Sequence, residues 1–157
     1  MIDYINYEAV VSDIKSRTGL TITSKVVNGK NGPILKVFPW CDLTNKWKRV
    51  HVECTPEKQR GNGYSIHLDF YIEGSITGSD AIIRNELLDV IEEEKLTALR
   101  IIGQPFELNP RPHKANVLVE QVNCVPFNAW ARDAKIAELM AHYISAFTPA
   151  IARVSHS

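Results

Sequence analysis

Two runs of alternating apolar and polar residues between Arg49 and Glu73 constrain the fold of this chain more than any other feature. In the first run Val50, Val52 and Cys54 alternate with Arg49, His51 and Glu53, and in the second Ile66, Leu68, Phe70 and Ile72 alternate with His67, Asp69, Tyr71 and Glu73. Because successive side chains of a strand point to opposite faces, each run has one apolar and one polar face. The polar segment from Thr55 to Gly63 joins them, which predicts a β-hairpin.

The hairpin predicts which residues are buried. The apolar set is expected in the core, together with Leu87 from a later helix, and comprises Val50, Val52, Ile66, Leu68, Phe70, Ile72 and Leu87. His51, His67 and Asp69 are expected on a solvated face, since antiparallel sheets commonly pack one face and expose the other.

The rest of the chain alternates between helical and extended patterns. Helices are predicted over residues 4–18, 79–99 and 128–147, the first ended by Gly19 and the last by Pro149, and further strands over 21–27, 34–38, 104–108 and 115–122. Runs of strands between helices favour an α+β fold over alternating βαβ units. We expect one domain over residues 1–157, with a mainly antiparallel sheet of about five strands, an N-terminal helix and two longer helices packed on it.

The charge balance bears on the class of partner. Lys plus Arg and Asp plus Glu both number 18, so the formal net charge is zero. A neutral chain has no global field to attract nucleic acid, and near-zero charge permits self-association as a homodimer. A local basic and aromatic patch is nevertheless predicted as a binding surface for another protein. Its residues are Trp40, Trp47, Lys48, Arg49, Lys58 and Arg60.

Targeting and cysteine signals predict a cytoplasmic protein. The N-terminus lacks the basic and apolar regions of a signal peptide, and no apolar run approaches a membrane span. The three cysteines are widely spaced without a Cys-x-x-Cys pair, which predicts free thiols in a reducing compartment. No cofactor motif is recognised, because Gly61 and Gly63 lie in a hairpin loop and not between a strand and a helix.

The polar face of the hairpin also supports an alternative. If the loop centres near residues 59–60, His51 lies opposite His67 or Asp69, and Glu53 opposite Ser65 or His67. His51, Glu53, His67 and Asp69 would then be close enough to bind a metal ion, or to supply an oriented base for hydrolysis. A solvated face of ordinary cross-strand pairs is the simpler interpretation, and it is preferred here.

Residues 64–151 resemble a small bacterial α+β domain of unknown function that accompanies restriction and defence nucleases. The similar segments are Tyr71-Ile72-Glu73, Asn85-Glu86-Leu87-Leu88-Asp89 with Glu92-Glu93, Gly103-Gln104-Pro105-Phe106-Glu107 and Phe147-Thr148-Pro149-Ala150-Ile151. The order of helices and strands is also similar to that of class I type III secretion chaperones, which are usually acidic dimers. Both resemblances imply a binding module and supply no catalytic residue.

The function expected from the sequence is therefore binding of another protein, as an adaptor, chaperone, immunity or counter-defence factor of a bacterium or phage. Two alternatives remain open at this point. One is a metal-dependent hydrolase that uses the polar hairpin face, and the other is a nucleic-acid-binding accessory domain.

Overall fold

The computed structural model of the protein describes residues 5–42, 47–59, 61 and 63–155. In chain order the elements are α1 (Tyr7–Thr18), β1 (Thr23–Gly29), β2 (Gly32–Phe38), β3 (Val50–Lys58), β4 (Tyr64–Ile72), α2 (Ser79–Glu93), α3 (Lys95–Ile102), β5 (Glu107–Leu108), β6 (Val117–Pro126) and α4 (Arg132–Ser155).

The described strands form one six-stranded sheet in the order β1-β2-β3-β4-β6-β5, and every neighbouring pair is antiparallel. The α+β class is thus confirmed, with one strand more than expected. The first four strands follow one another as a meander. The helices α2 and α3 then intervene, and β6 returns to pair with β4, which leaves the two-residue β5 at the edge.

The hairpin of β3 and β4 is longer than predicted, because β3 continues through Pro56 to Lys58. Pro56 pairs with Ile66 of β4, whereas the pairing of β3 with β2 ends at Cys54. A proline that lies beyond a ladder on one side costs that ladder no hydrogen bond. The expected loop from Thr55 therefore starts about four residues later.

Capping interactions define both ends of the first helix. The Asn6 side chain accepts a hydrogen bond from the Ala9 N–H at 3.1 Å, and Gly19 ends the helix at φ +67°, its N–H bonded to the Lys15 carbonyl. Glycine reaches this left-handed conformation without the steric cost of a Cβ.

The second predicted helix is two helices. Glu94, at φ −99° and ψ 13°, interrupts the run between α2 and α3, and α3 continues to Ile102 before Gly103 ends it. Both helices bury apolar residues, so the predicted helical periodicity is confirmed, whereas the prediction of one continuous helix is wrong.

The last helix starts later and ends later than the sequence suggested. It begins at Arg132 and runs through Pro149 to Ser155. Pro149 is exposed, while Phe147 and Ile151 on either side are buried. A proline inside a helix costs about 3 kcal/mol, and burial of apolar residues on both sides of Pro149 offsets that cost.

The helices pack on one face of the sheet. α4 contacts the other three helices as well as β3 and β6. On the sheet side its Phe147 ring lies 4.8 Å from that of Phe70, and Tyr143 donates a hydrogen bond to Gln121. All seven residues expected in the core are buried, which confirms the assignment of the apolar face: Val50, Val52, Ile66, Leu68, Phe70, Ile72 and Leu87.

Candidate functional site

The sheet face opposite α4 carries the candidate site, which we call the open face. It contains a row of six charged side chains, one from each strand. Register pairs place Lys25 beside Lys36, Lys36 beside Glu53, Glu53 beside Asp69, Asp69 beside Glu120, and Glu120 beside Glu107. Directly opposite residues share a face, with Cβ atoms roughly 5 Å apart. This charged row thus has two lysines at one end and four carboxylates in the remainder.

The two lysines of the charged row are both paired with one carboxylate outside it. Lys36 Nζ lies 2.5 Å from one carboxylate oxygen of Glu73, and Lys25 Nζ lies 3.5 Å from the other. Partial burial raises the pKa of Glu73, but the hydrogen bond and charge of Lys36, with smaller effects of His51 and Lys25, hold that pKa below its ordinary value. The lysines are therefore paired within the protein.

The carboxylates of the charged row are only partly paired. Glu53 Oε2 lies 2.8 Å from His51 Nε2, and Arg111 donates to Glu120 Oε1 at 2.9 Å. Asp69 Oδ1 and Glu120 Oε2 are both inaccessible to solvent, and neither has a hydrogen-bond partner in the described part of the chain. The middle of the open face thus holds acceptors that the described residues leave without donors.

Asp69 shows the electrostatic consequence. Burial in the first place, and then the neighbouring carboxylates of Glu120 and Glu53, raise the pKa of Asp69 to about 7, while Arg111 and Lys114 act in the opposite direction. Desolvation disfavours the charged form of an acid, and nearby like charges disfavour it further. Asp69 consequently titrates near neutral pH.

The placement of His51 corrects the expectation that it is exposed. Its side chain is 0% accessible. Its ring centroid lies 4.8 Å from that of Phe38 and 5.2 Å from that of Tyr71, and its Nδ1 lies 3.4 Å from the Arg49 carbonyl. Aromatic neighbours on both adjacent strands bury the imidazole, although it lies on the polar face.

The four residues of the proposed metal site do not converge. The hairpin register places His51 opposite Tyr71 and Glu53 opposite Asp69, which corrects the expected pairings. His67 lies opposite Thr55 and contacts Asn123 Oδ1 at 3.3 Å. No group of three or more His, Cys, Asp or Glu side chains among the described residues is arranged to hold a metal ion.

The predicted basic and aromatic patch is not one surface. Trp40 and Trp47 are buried in the core, where they donate hydrogen bonds to Thr148 at 3.0 Å and Ser155 at 2.7 Å on α4. Large apolar rings gain most by burial against the helical layer, and each buried indole N–H finds an acceptor there. The two tryptophans thus stabilise the fold and are not available to a partner.

The basic residues of that patch have separate environments. Arg49 is held by the Asp80 carboxylate at 2.5 Å and by the carbonyls of Glu73 and Ser75. Lys48, two residues before β3, and Lys58, the last residue of β3, are both exposed, and Arg60 lies outside the described residues. A continuous basic surface is therefore not formed by Lys48, Arg49 and Lys58.

A second polar cluster lies where β4 meets β6. Gln59 donates to Ser65 at 2.8 Å and to Asn123 at 2.7 Å, and Ser65 donates to Asn123 at 2.6 Å. Since Ser65 uses its proton on Asn123 and not on His67, the serine is not activated as a nucleophile. Asn123, whose side-chain oxygen accepts these bonds, has φ +54°, an uncommon conformation for a non-glycine residue.

Sequence reasoning missed Glu120, Glu107 and Lys36. Glu120 lies inside the apolar segment from Val117 to Val122, and Lys36 interrupts the apolar run from Ile34 to Phe38. A charge within a strand-like apolar run was the available signal, because such a residue must face away from the core.

Comparisons with family models, with curated proteins and with solved structures found no match to this chain. None of the helices in the described ranges has the length and apolar character needed to cross a membrane.

Proposed function

We propose that this protein binds another protein through the open face, as an adaptor, chaperone, immunity or counter-defence factor. The observation that carries the proposal is the charged row, which crosses all six strands and places four carboxylates on neighbouring strands of one face.

The chemistry of the face favours a protein over a nucleic acid. Glu53, Asp69, Glu120 and Glu107 would repel phosphates, whose neutralisation by lysine and arginine drives nucleic-acid binding. The lysines at the other end of the charged row are already committed to Glu73. A protein partner with basic side chains complements this surface and gains specificity from it.

The alternative of hydrolysis receives less support from the same geometry. A general base must reach the proton that it abstracts, but His51 is fully buried, with one nitrogen against Glu53 and the other against a backbone carbonyl. His67 lies opposite Thr55, whereas His51 lies opposite Tyr71, so the two histidines are not a cross-strand pair.

Site-specific photo-crosslinking in the native cells tests the proposal. A photoreactive amino acid at Thr55 or His67, which face each other on the open face, is expected to capture one partner. The same amino acid at Glu138 or Ser145, both exposed on α4, is expected to capture none.

Charge-reversed variants make the crosslinking experiment specific. Glu107→Lys reverses the charge at the exposed acidic end of the charged row and is expected to remove the product, whereas Glu92→Lys on the exposed side of α2 leaves it unchanged. Equal products from the α4 positions, or a product insensitive to Glu107→Lys, would show that the open face is not the interface.

A further inference from the structure

The two edges of the sheet differ in how they are protected against pairing with another chain. At one edge β5 is only two residues long, and beyond it β6 carries Pro126 and a register shift against β4. At the other edge β1 is a seven-residue strand that pairs with β2 in unbroken register from Thr23 to Gly29. Short strands, prolines and bulges are common ways to keep an edge from pairing, and β1 has none of them.

Pro33 shows which backbone groups of β1 face outwards. Pro33 is opposite Asn28 and has no N–H, and its carbonyl accepts a hydrogen bond from the Tyr7 hydroxyl at 2.6 Å. In an antiparallel pair, residues that exchange two backbone hydrogen bonds with the neighbouring strand alternate with residues that do not. Asn28 therefore belongs to the second kind, and so do Val26 and Ser24. Their N–H and C=O groups point away from β2, to the free edge.

This edge is accessible. Among the described residues no strand lies beyond β1. Ser24, Val26 and Asn28 lie on the helix face, since they alternate with Lys25 of the open face, yet all three are exposed, Val26 by 52%. None of the described helices therefore covers these residues, and a further strand has room to pair with β1.

We propose that β1 pairs antiparallel with β1 of a second copy of the chain, around a twofold axis through Val26. A twofold contact requires a surface that is complementary to itself, and a strand with outward-facing groups at alternate residues meets that requirement. In this register Val26 is opposite Val26 of the second copy, and Ser24 of each copy is opposite Asn28 of the other. Each of these three pairs exchanges two backbone hydrogen bonds, which gives about six in all.

Charge complementarity selects this register. Lys25 is the only charged residue of β1, and the axis through Val26 places it opposite Val27 of the second copy. A register in which Lys25 met its own equivalent would put like charges directly opposite, which is destabilising. Lys25 Nζ is also 3.5 Å from the Glu73 carboxylate of its own chain, so it brings no unpaired charge to the contact.

A second copy is also the best-matched occupant of the edge. Its β1 has the same length and the same pattern of outward-facing groups, and its exposed Val26 packs against the equivalent side chain. The formal net charge of zero leaves no overall repulsion between two copies.

The dimer joins two six-stranded sheets into one continuous sheet. The axis is perpendicular to the sheet, so the open faces of both copies lie on the same side, with the carboxylates of the charged row towards the two outer edges. The inference does not depend on the proposed function, because the contact uses the edge of β1 and leaves both open faces free. It adds to that function two binding surfaces on one particle.

Sedimentation velocity of the full chain over a range of concentrations tests the proposal. We expect a reversible monomer–dimer equilibrium with a dissociation constant in the micromolar range, because the interface is small. Val26→Pro removes an N–H that faces the second copy and costs no bond to β2. It is expected to raise the dissociation constant at least about tenfold. Val26→Thr keeps the branched shape and the N–H and is expected to change it far less. Circular dichroism verifies that both variants are folded.

Cysteine crosslinking tests the register without the proline variant. Residues of a hydrogen-bonded pair have Cα atoms about 5.5 Å apart, a distance that a disulfide can span. Val26→Cys is therefore expected to form a disulfide-linked dimer in oxidised glutathione. Ser24→Cys is not, because the two equivalent positions are more than about 13 Å apart. The double variant Ser24→Cys/Asn28→Cys is expected to form the crosslink again. The wild type, treated identically, controls for the native thiols.

Three results would overturn the inference: a monomer at every concentration up to the millimolar range, a dimer that folded Val26→Pro leaves intact, or equal crosslinking of Ser24→Cys and Val26→Cys. If Val26→Pro does not fold, the cysteine variants decide. A dimer that is abolished by Glu107→Lys, at the opposite edge, would place the contact on the open face and would also contradict the inference. Photo-crosslinking from Thr55 or His67 that persists in monomeric Val26→Pro would show that the proposed function holds without the dimer.

Discussion

Replacement of Asp69 by asparagine should stabilise the protein at neutral and alkaline pH. Burial and the carboxylates of Glu120 and Glu53 raise the pKa of Asp69 from an ordinary value of 3.8 to about 7, although Arg111 and Lys114 partly offset them. A shift of roughly three units corresponds to about 4 kcal/mol between the two protonation states. The amide has the shape of the carboxyl group and cannot become charged, so it avoids this cost.

The sign of the pH dependence follows from proton binding. Below about pH 4, Asp69 is protonated in the folded and the unfolded protein and contributes no difference. Between about pH 4 and 7 the folded protein keeps the proton that the unfolded chain releases, so the free energy of unfolding falls as the pH rises. Above about pH 7 the loss is complete. The advantage of Asp69→Asn over the wild type should therefore grow by about 4 kcal/mol from pH 4 to pH 8.

Urea unfolding at constant ionic strength measures this difference, with fluorescence of the buried Trp40 and Trp47 as the signal. For a chain of this size, about 4 kcal/mol corresponds to a rise in Tm on the order of 10 °C at pH 8. Glu92→Gln, which changes an exposed carboxylate on α2, should show no comparable trend. A difference between Asp69→Asn and wild type that is constant over this pH range, or that falls with pH, would refute the reasoning.

Four further substitutions test other parts of the structure. Glu53→Gln weakens the charge-assisted contact with the buried His51 and should lower the free energy of unfolding by about 1–3 kcal/mol, measured by urea unfolding. Ala131→Gly should raise the free energy of unfolding by about 0.5–1 kcal/mol, because Ala131 has φ +52°. Ala134→Gly, inside α4, should lower the free energy of unfolding by a similar amount. Equal effects of the two substitutions would contradict this assignment. Trp130 is 88% exposed, so Trp130→Phe should remove most of the acrylamide-quenchable fluorescence; persistence of that quenching would show that Trp40 or Trp47 is accessible.

Local periodicity predicted the elements and the buried face well, because both depend on neighbours in sequence. The alternation around Val52 and Phe70 specified which side of the hairpin meets the helices, and the structure confirms it. The exposed Trp130 shows the limit of the same reasoning, since the helix predicted from residue 128 starts only at Arg132 and leaves Trp130 outside it.

The open face could not be predicted in the same way, because it depends on strand order and register. Glu120 lies beside Asp69 only because β6 returns to pair with β4 after two intervening helices. Register shifts between Ile66 and Leu68, and between Phe70 and Tyr71, further set which residues are opposite. Such shifts depend on tertiary packing and leave no periodic signal.

The burial of His51 has a similar origin. Phe38 reaches the imidazole from β2, and Tyr71 is opposite it on β4. Phe38 and Tyr71 each lie on the polar face of their own strand. Their rings flank His51 only because β2 and β4 pair with β3 on its two sides. A polar face is therefore not necessarily a solvated one.

The positions of the charged residues in this chain are more informative than its net charge. The equal numbers of basic and acidic residues predicted no global field for nucleic acid, yet the charged row separates two paired lysines from four carboxylates on a single face. Fields act over roughly a Debye length, about 8–10 Å at physiological ionic strength, which is only about two strand spacings. A partner at the acidic end therefore encounters Asp69, Glu120 and Glu107 and is largely screened from Lys25. Zero net charge is compatible with a strongly charged binding surface. The carboxylates on this face, and not the net charge, are the stronger argument against nucleic-acid binding there.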